Sequence, residues 1–175
     1  MQDKLNKIKL VCFDCDGVLT DGRIIYIQTE SNSILEQKNF SAKDGMGIMM
    51  LNRVGLIPAV ITGRSSEVLK QRCQDLRIKH LYQNIENKAE KMQELLDKLG
   101  LDWENLAYIG DDWNDYKILT RSGFAATPND GDEAIKPFVD LVTKRKGGKG
   151  AVREVIDLIL DAQGLYEKAI EHFTI

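Results

Sequence analysis

The sequence predicts an α/β protein built as a three-layer, doubly wound parallel sheet with helices on both faces. Three observations carry this. Short apolar runs alternate with amphipathic stretches along most of the chain, the pattern of strand–helix–strand units. Several runs are apolar at almost every position, as strands buried on both faces are. Acids or hydroxyls follow three of these runs directly, where open parallel sheets bind their ligands.

Met1-Gln2-Asp3-Lys4-Leu5-Asn6-Lys7 is polar and does not read as a signal peptide. The first strand lies within 8–14 and runs into Asp14-Cys15-Asp16-Gly17. A buried strand ending in two acids needs a cation or hydrogen bonds to offset their desolvation. Residues 22–40 break the alternation. Ile24-Ile25-Tyr26-Ile27 and Ile34-Leu35 flank the polar turn Thr29-Glu30-Ser31-Asn32-Ser33, which predicts a β-hairpin inserted after the first strand. Its first strand is apolar on both faces, and an isolated two-stranded ribbon is marginal in water. The hairpin is therefore expected to pack against other subunits, making the protein an oligomer.

Further strands are expected near 57–62, 79–82, 106–110, 123–126 and 139–142. A helix starts at Ser65-Ser66 and runs to Leu76. Another starts near Asn87, with Ala89, Met92, Leu95, Leu96 and Leu99 at helical spacing and Gly100 just past its end. A third spans Ala151 to Ala162, with Val152, Val155, Ile156, Ile159 and Leu160 on one face. The tail covers 163–175. The 175 residues suit one domain, 1–175, with no repeat, linker or low-complexity tract and too few residues for a separate cap.

Four motifs then stand in a fixed order: Asp14-Cys15-Asp16-Gly17-Val18, Thr62-Gly63, Lys88, and Gly110-Asp111-Asp112-Trp113-Asn114-Asp115. Together they resemble the capless haloacid-dehalogenase-like phosphatases. The resemblance implies Asp14 as a nucleophile forming an aspartyl-phosphate, a role open to carboxylates. Asp16 then acts as general acid and base. Residues two apart on a strand share a face, so both carboxylates can address one phosphorus. A phosphate dianion repels a carboxylate, and a hard cation with oxygen ligands, Mg²⁺, is expected to screen this. The resemblance places Asp14, Asp111 and the Asp16 backbone carbonyl on the metal, with Asp112 and Asp115 around them. Thr62 and the Gly63 amide are expected to bind phosphate oxygens, and Lys88 to neutralise charge during transfer.

Further stretches narrow the resemblance: the hairpin, Asp44-Gly45-Met46-Gly47-Ile48, Thr62-Gly63-Arg64, Arg72-Cys73 and Gly147-Gly148-Lys149-Gly150-Ala151-Val152-Arg153-Glu154. These are similar to the 3-deoxy-D-manno-octulosonate 8-phosphate (KDO 8-phosphate) phosphatases over roughly 8–165. That resemblance implies a Mg²⁺-dependent homotetramer of lipopolysaccharide biosynthesis whose hairpins meet at its centre. It also implies substrate contacts at Ser41, Lys43, Asp44, Gly45, Arg64, Arg72 and Lys88 as well as Asp16. The substrate carries a phosphate and a carboxylate, both suited to arginine's planar fork. The stretch Ser41-Ala42-Lys43-Asp44-Gly45, read as a loop, departs from the usual Asn-Val-Arg-Asp-Gly, and Met49 stands where an arginine is common. Lys144 to Lys149 are a candidate source of the missing positive charge. A nine-carbon sugar acid 9-phosphate remains an alternative substrate, although Arg64 follows Thr-Gly where a glutamate is usual for that class. A non-catalytic tetramerising scaffold is a third reading, opposed by the complete acid set.

Net charge of −3 and the lack of a basic stripe argue against nucleic-acid binding. No run approaches the ~20 apolar residues of a membrane span. Three cysteines, an odd number, predict reduced thiols and a cytoplasmic setting. Cys12 and Cys15 form a Cys-x-x-Cys, but their odd spacing on a strand places them on opposite faces and argues against a redox pair.

Overall fold

The computed structural model describes residues 1–171. Residues 172–175, with His172 and the end of the expected tail, lie outside the described residues. The strands are β1 (Leu10–Phe13), β2 (Ile25–Gln28), β3 (Ile34–Gln37), β4 (Ile57–Ile61), β5 (His80–Tyr82), β6 (Leu106–Ile109), β7 (Phe124–Thr127) and β8 (Leu141–Val142). The helices are α1 (Gln2–Asn6), α2 (Ala42–Val54), α3 (Glu67–Asp75), α4 (Lys88–Leu99), α5 (Tyr116–Leu119), α6 (Ala151–Ala162) and α7 (Tyr166–Ile170).

Six strands form one parallel sheet in the order β5-β4-β1-β6-β7-β8. The chain adds β4 and β5 on one side of β1, then crosses to add β6 on the other. This places a topological switch point at the end of β1. Phe13 lies in register between Val60 of β4 and Ile109 of β6. The three chains therefore leave the sheet side by side, at Asp14, Thr62 and Gly110.

The strand side chains alternate between two cores. Val11, Phe13, Val60, Ala107 and Ile109 pack beneath α1, α2, α3, α6 and α7. Leu10, Cys12, Ala59, Ile61, Leu106 and Tyr108 pack against α4 and α5. Cys12 belongs to one core and Cys15 to the other, and both thiols are buried, free and pushed far up by desolvation. The expected strands and the helices α3, α4 and α6 appear within a few residues of their predicted places. Asn87 caps α4 by accepting the Glu90 N–H at 3.4 Å, and Gly100 ends it at φ +64°.

One expectation is corrected. The stretch from Ser41 to Gly45 is not a loop. Ser41 caps α2, its hydroxyl accepting the Asp44 N–H at 3.3 Å, and the helix runs on to Val54. The hairpin forms as expected, β2 pairing antiparallel with β3 so that Ile27 faces Leu35. Its apolar side chains are left open: Tyr26 is 61% exposed, Ile34 64% and Leu35 53%. Among the described residues no helix is long and apolar enough to cross a membrane.

Candidate active site

Asp14 continues the β1–β6 pairing, its N–H donating to the Ile109 carbonyl at 3.0 Å, so it is held at the carboxyl end of the central strand, and it is buried. Lys88, the first residue of α4, reaches in from the other side of the switch point. Its ammonium lies 2.9 Å from Asp14 Oδ1 and 2.7 Å from Asp115 Oδ1, and all three groups are almost wholly buried. Asp115 also accepts the Tyr108 hydroxyl at 2.5 Å and, through Oδ2, the Asp111 N–H at 3.1 Å. Asp115 therefore anchors Lys88 and shapes the loop that carries Asp111.

The charges do not balance. Asp14, Asp111 and Asp115 offer oxygens within 4.8 Å of one another, against a single lysine. Burial, then the repulsion of Asp115, pushes the Asp14 carboxyl up to about 7 despite the lysine. Burial, then the neighbouring acids Asp14, Asp115 and Asp112, pushes Asp111 up to about 8. Burial alone disfavours the Lys88 ammonium, but Asp14 and Asp115 outweigh it and hold it above the usual lysine range. Asp14 Oδ1 has the ion pair with Lys88 but no well-aligned hydrogen bond. Crowded, desolvated carboxylates of this kind fit a hard divalent cation, which favours carboxylate oxygens.

Gly17 makes the crowding possible. It sits at φ +90°, and a Cβ there would lie 2.0 Å from Asp111 Oδ2. Only glycine takes that turn while letting the Asp111 carboxylate close over the backbone.

Asp16 points elsewhere. Its Oδ1 accepts a hydrogen bond from Lys38, and its Oδ2 lies 3.6 Å from Arg64 Nε. Its carboxylate is thus outside the Asp14–Asp111–Asp115 group, which leaves only the backbone carbonyl for the expected metal contact. A cavity of about 260 Å³ is lined by Asp14, Asp16, Gly22, Thr62, Gly63, Arg64, Asp111, Asp112 and Asn114. The Thr62 hydroxyl is held at its base, accepting the Arg64 N–H at 3.3 Å.

The structure brings Asp14, Asp16, Thr62, Gly63, Arg64, Lys88, Asp111 and Asp115 together. Asp112 lines the Asp14 cavity but is exposed, and its carboxylate accepts the Trp113 N–H at 2.7 Å; other candidates lie away from it. Asp44, expected as a substrate contact, caps a helix and does not line the Asp14 cavity of its own chain. It is buried, and its two oxygens accept the N–H groups of Gly150 at 3.1 Å and Arg153 at 2.8 Å, at the start of α6. Arg72 donates to the Ser41 carbonyl at 3.2 Å and covers the Phe40 ring, packing so closely on Gly45 that a Cβ there would meet it at 2.3 Å. Ser41, Gly45 and Arg72 thus build the start of α2 and lie away from the Asp14 cavity of their own chain. Lys43 lines a separate cavity with Lys144, Arg145 and Arg153. The glycine-rich segment braces the catalytic loop, Gly148 N–H donating to the Val18 carbonyl at 2.9 Å.

Sequence reasoning missed Tyr108, Lys38 and Glu36. Tyr108 looks like core because it is core on all sides but its hydroxyl. Glu36 and Lys38 left a faint signal, opposite charges two apart at the end of an otherwise apolar ribbon.

The family described as haloacid dehalogenase-like hydrolase matches residues 77–156. The 3-deoxy-D-manno-octulosonate 8-phosphate phosphatase KdsC of Escherichia coli (strain K12) is 41% identical over 166 residues, 95% of this chain and 86% of that protein. A crystal structure of the Moraxella catarrhalis 3-deoxy-D-manno-octulosonate 8-phosphate phosphatase, in complex with magnesium ion, phosphate ion and KDO, superposes with a TM-score of 0.91. It is 40% identical and covers 98% of this chain and 97% of its own. The cobalt-bound phosphatase of Haemophilus influenzae gives 0.85 at 39% identity, covering 92% of each chain.

Proposed function

The chain belongs to the KDO 8-phosphate phosphatases among the haloacid dehalogenase-like hydrolases, and from that membership we propose that it hydrolyses KDO 8-phosphate to KDO and phosphate through Asp14. The observation that carries the mechanism is the division of the acids. Asp14 is buried against Lys88 beside Asp111, whereas Asp16 stands apart on the cavity wall.

Lys88 holds Asp14 with an oxygen presented to the cavity, where that oxygen attacks phosphorus. The P–O bond to the sugar breaks, and Asp16 delivers a proton to the departing oxygen. Asp16, now a carboxylate, takes a proton from water as the water attacks the aspartyl-phosphate, which returns Asp14 and releases phosphate. Thr62 and Gly63 cradle phosphate oxygens, and Arg64 at the rim meets the sugar acid. Asp14, Asp111 and the Asp16 carbonyl would hold Mg²⁺, with Asp115 positioning that set. When bound, the ion supplies the positive charge that lets a carboxylate approach a phosphate dianion.

The rest of the reading concerns the setting. The exposed face of Ile27 and Leu35 packs against other copies in a homotetramer. The chain works as one domain, 1–175, in a reducing cytoplasm, which suits its buried free thiols. Phosphate release is the test, from KDO 8-phosphate, a nine-carbon sugar acid 9-phosphate and common hexose phosphates, each with Mg²⁺ and with EDTA. Mg²⁺-dependent preference for KDO 8-phosphate is the expected result. Preference for the nine-carbon acid would reassign the substrate, and release from none would remove the enzymatic reading.

A further inference from the structure

Asp16 is held from the hairpin. The Lys38 side chain is only 2% exposed, although a lysine beside an open ribbon could extend its ammonium into water. It turns inward. Its ammonium hydrogen-bonds Asp16 Oδ1 and lies 3.4 Å from Glu36 Oε1. Glu36 in turn lies 3.3 Å from Arg64 Nη2, and Arg64 also contacts the Tyr26 hydroxyl at 3.4 Å. A buried ammonium is costly unless its partners are fixed. Here they are fixed from two directions, Asp16 by the catalytic loop and Glu36 by β3. Neither Lys38 nor Glu36 lines the cavity, so neither is placed to touch a phosphate. The two oxygens of Asp16 are also unequal. Oδ1 carries Lys38, while Oδ2 faces Arg64 Nε at 3.6 Å, outside hydrogen-bonding distance.

We propose that Lys38 is a positioning residue for the acid–base carboxylate: it clamps Asp16 Oδ1, and so leaves Oδ2 as the atom that passes a proton to the departing sugar oxygen and then accepts one from water. Glu36 steadies the clamp. The hairpin thereby contributes to the reaction of its own chain. This inference rests on the phosphatase reading above. Loss of the clamp frees the Asp16 side chain to rotate, and misplacement of a reacting group by about 1 Å can cost on the order of 10²-fold.

The test separates proton donation from everything else. Lys38→Met keeps the stem and removes the charge; Lys38→Arg restores a charged donor; Glu36→Gln loosens the lysine from its other side. Steady-state kinetics are measured with KDO 8-phosphate, whose alkoxide needs a proton to leave, and with p-nitrophenyl phosphate, whose phenolate does not. The ratio kcat/KM reports steps up to phosphoryl transfer, so the second, water-using half does not blur the comparison. In Lys38→Met, kcat/KM for KDO 8-phosphate should fall by at least about tenfold, less than the roughly 10²–10⁴-fold of losing general acid catalysis outright because Asp16 itself remains, and that for p-nitrophenyl phosphate by no more than about threefold. The loss should appear in kcat rather than KM. Lys38→Arg should recover most of it, and Glu36→Gln should shift the ratio of the two substrates the same way by less. Parallel loss on both substrates, or loss on neither, would overturn the proposal. If circular dichroism shows Lys38→Met unfolded, the Glu36→Gln ratio decides, and an unchanged ratio overturns it. Wild-type protein inactive on KDO 8-phosphate but active on p-nitrophenyl phosphate would instead reject the substrate reading, and the Lys38 comparison would then use another alkyl phosphate that the enzyme hydrolyses.

Discussion

Replacing Asp44 should cost stability rather than catalysis. The carboxylate is buried, and each oxygen accepts one backbone N–H at the start of α6, from Gly150 at 3.1 Å and Arg153 at 2.8 Å. A hydrogen bond to a charged group contributes about 1.5–3 kcal/mol, and a buried donor left without a partner costs a similar amount. The negative charge at the N-terminus of α6 adds to this. Against these gains stands the cost of burying the charge, which pushes the Asp44 carboxyl upward despite its backbone donors. The balance for Asp44→Ala is a loss of about 2–4 kcal/mol, at or above the top of the roughly 0.5–2 kcal/mol for removing an ordinary N-cap, because two buried donors lose a charged acceptor. For a chain of this length that corresponds to a fall in Tm of about 4–16 °C. Asp44→Asn keeps one acceptor and should lose roughly half as much. Thermal melts at neutral pH give the first quantity, and kcat/KM measured well below the melting range gives the second. That kcat/KM should stay within about threefold of wild type, because Asp44 does not line the Asp14 cavity. A protein that melts like wild type yet loses tenfold or more in kcat/KM would refute the capping argument and make Asp44 a substrate contact.

Other outcomes follow from the same geometry. Asp14→Asn should abolish turnover while leaving the circular dichroism spectrum unchanged; measurable turnover would displace Asp14 as nucleophile. In EDTA, stability should fall as pH rises between about 4 and 8. Asp14 and Asp111, held at about 7 and about 8 against an ordinary 3.8, keep protons in the folded state that the unfolded chain has already lost. Excess Mg²⁺ should flatten or reverse that slope, because metal ligands bind deprotonated; melts across this range that do not respond to Mg²⁺ would contradict the metal site. Leu35→Lys places a charge on the exposed hairpin face opposite Ile27 and, on the proposed homotetramer, should shift sedimentation toward a monomer, whereas a monomeric wild type would refute the tetramer itself. An unchanged sedimentation coefficient would move the interface elsewhere.

The central sheet was readable because strands buried on both faces have nowhere to put a polar side chain until they end. The acids after β1 and β6 therefore marked the ends of strands and the site together. Helix α2 was unreadable for the opposite reason. Gly45 and Gly47 stand in its first two turns, and each glycine costs a helix about 1 kcal/mol relative to alanine. They are explained by packing: a Cβ on Gly45 would strike Arg72, and one on Gly47 would lie 3.0 Å from the Arg153 side chain of α6. Tertiary contact, invisible in a local window, outweighs propensity there. The same holds for Asp44, whose partners lie more than a hundred residues along the chain. Lys38 lies 22 residues from Asp16, and only the folded hairpin brings them together. Strand spacing put Asp14 and Asp16 on one face, but β1 ends at Phe13 and the chain turns through Asp16 and Gly17, so that alternation does not reach Asp16, and spacing could not say what holds either acid.

The most direct test is to trap the covalent intermediate. KDO 8-phosphate and Mg²⁺ are mixed with the enzyme, the reaction is quenched with borohydride, and the peptide spanning Asp14 is examined by mass spectrometry. An aspartyl-phosphate is reduced to homoserine, so the account predicts homoserine at position 14, dependent on substrate and Mg²⁺ and absent from Asp14→Asn. Phosphate released without that conversion, or conversion at a different acid, would contradict it.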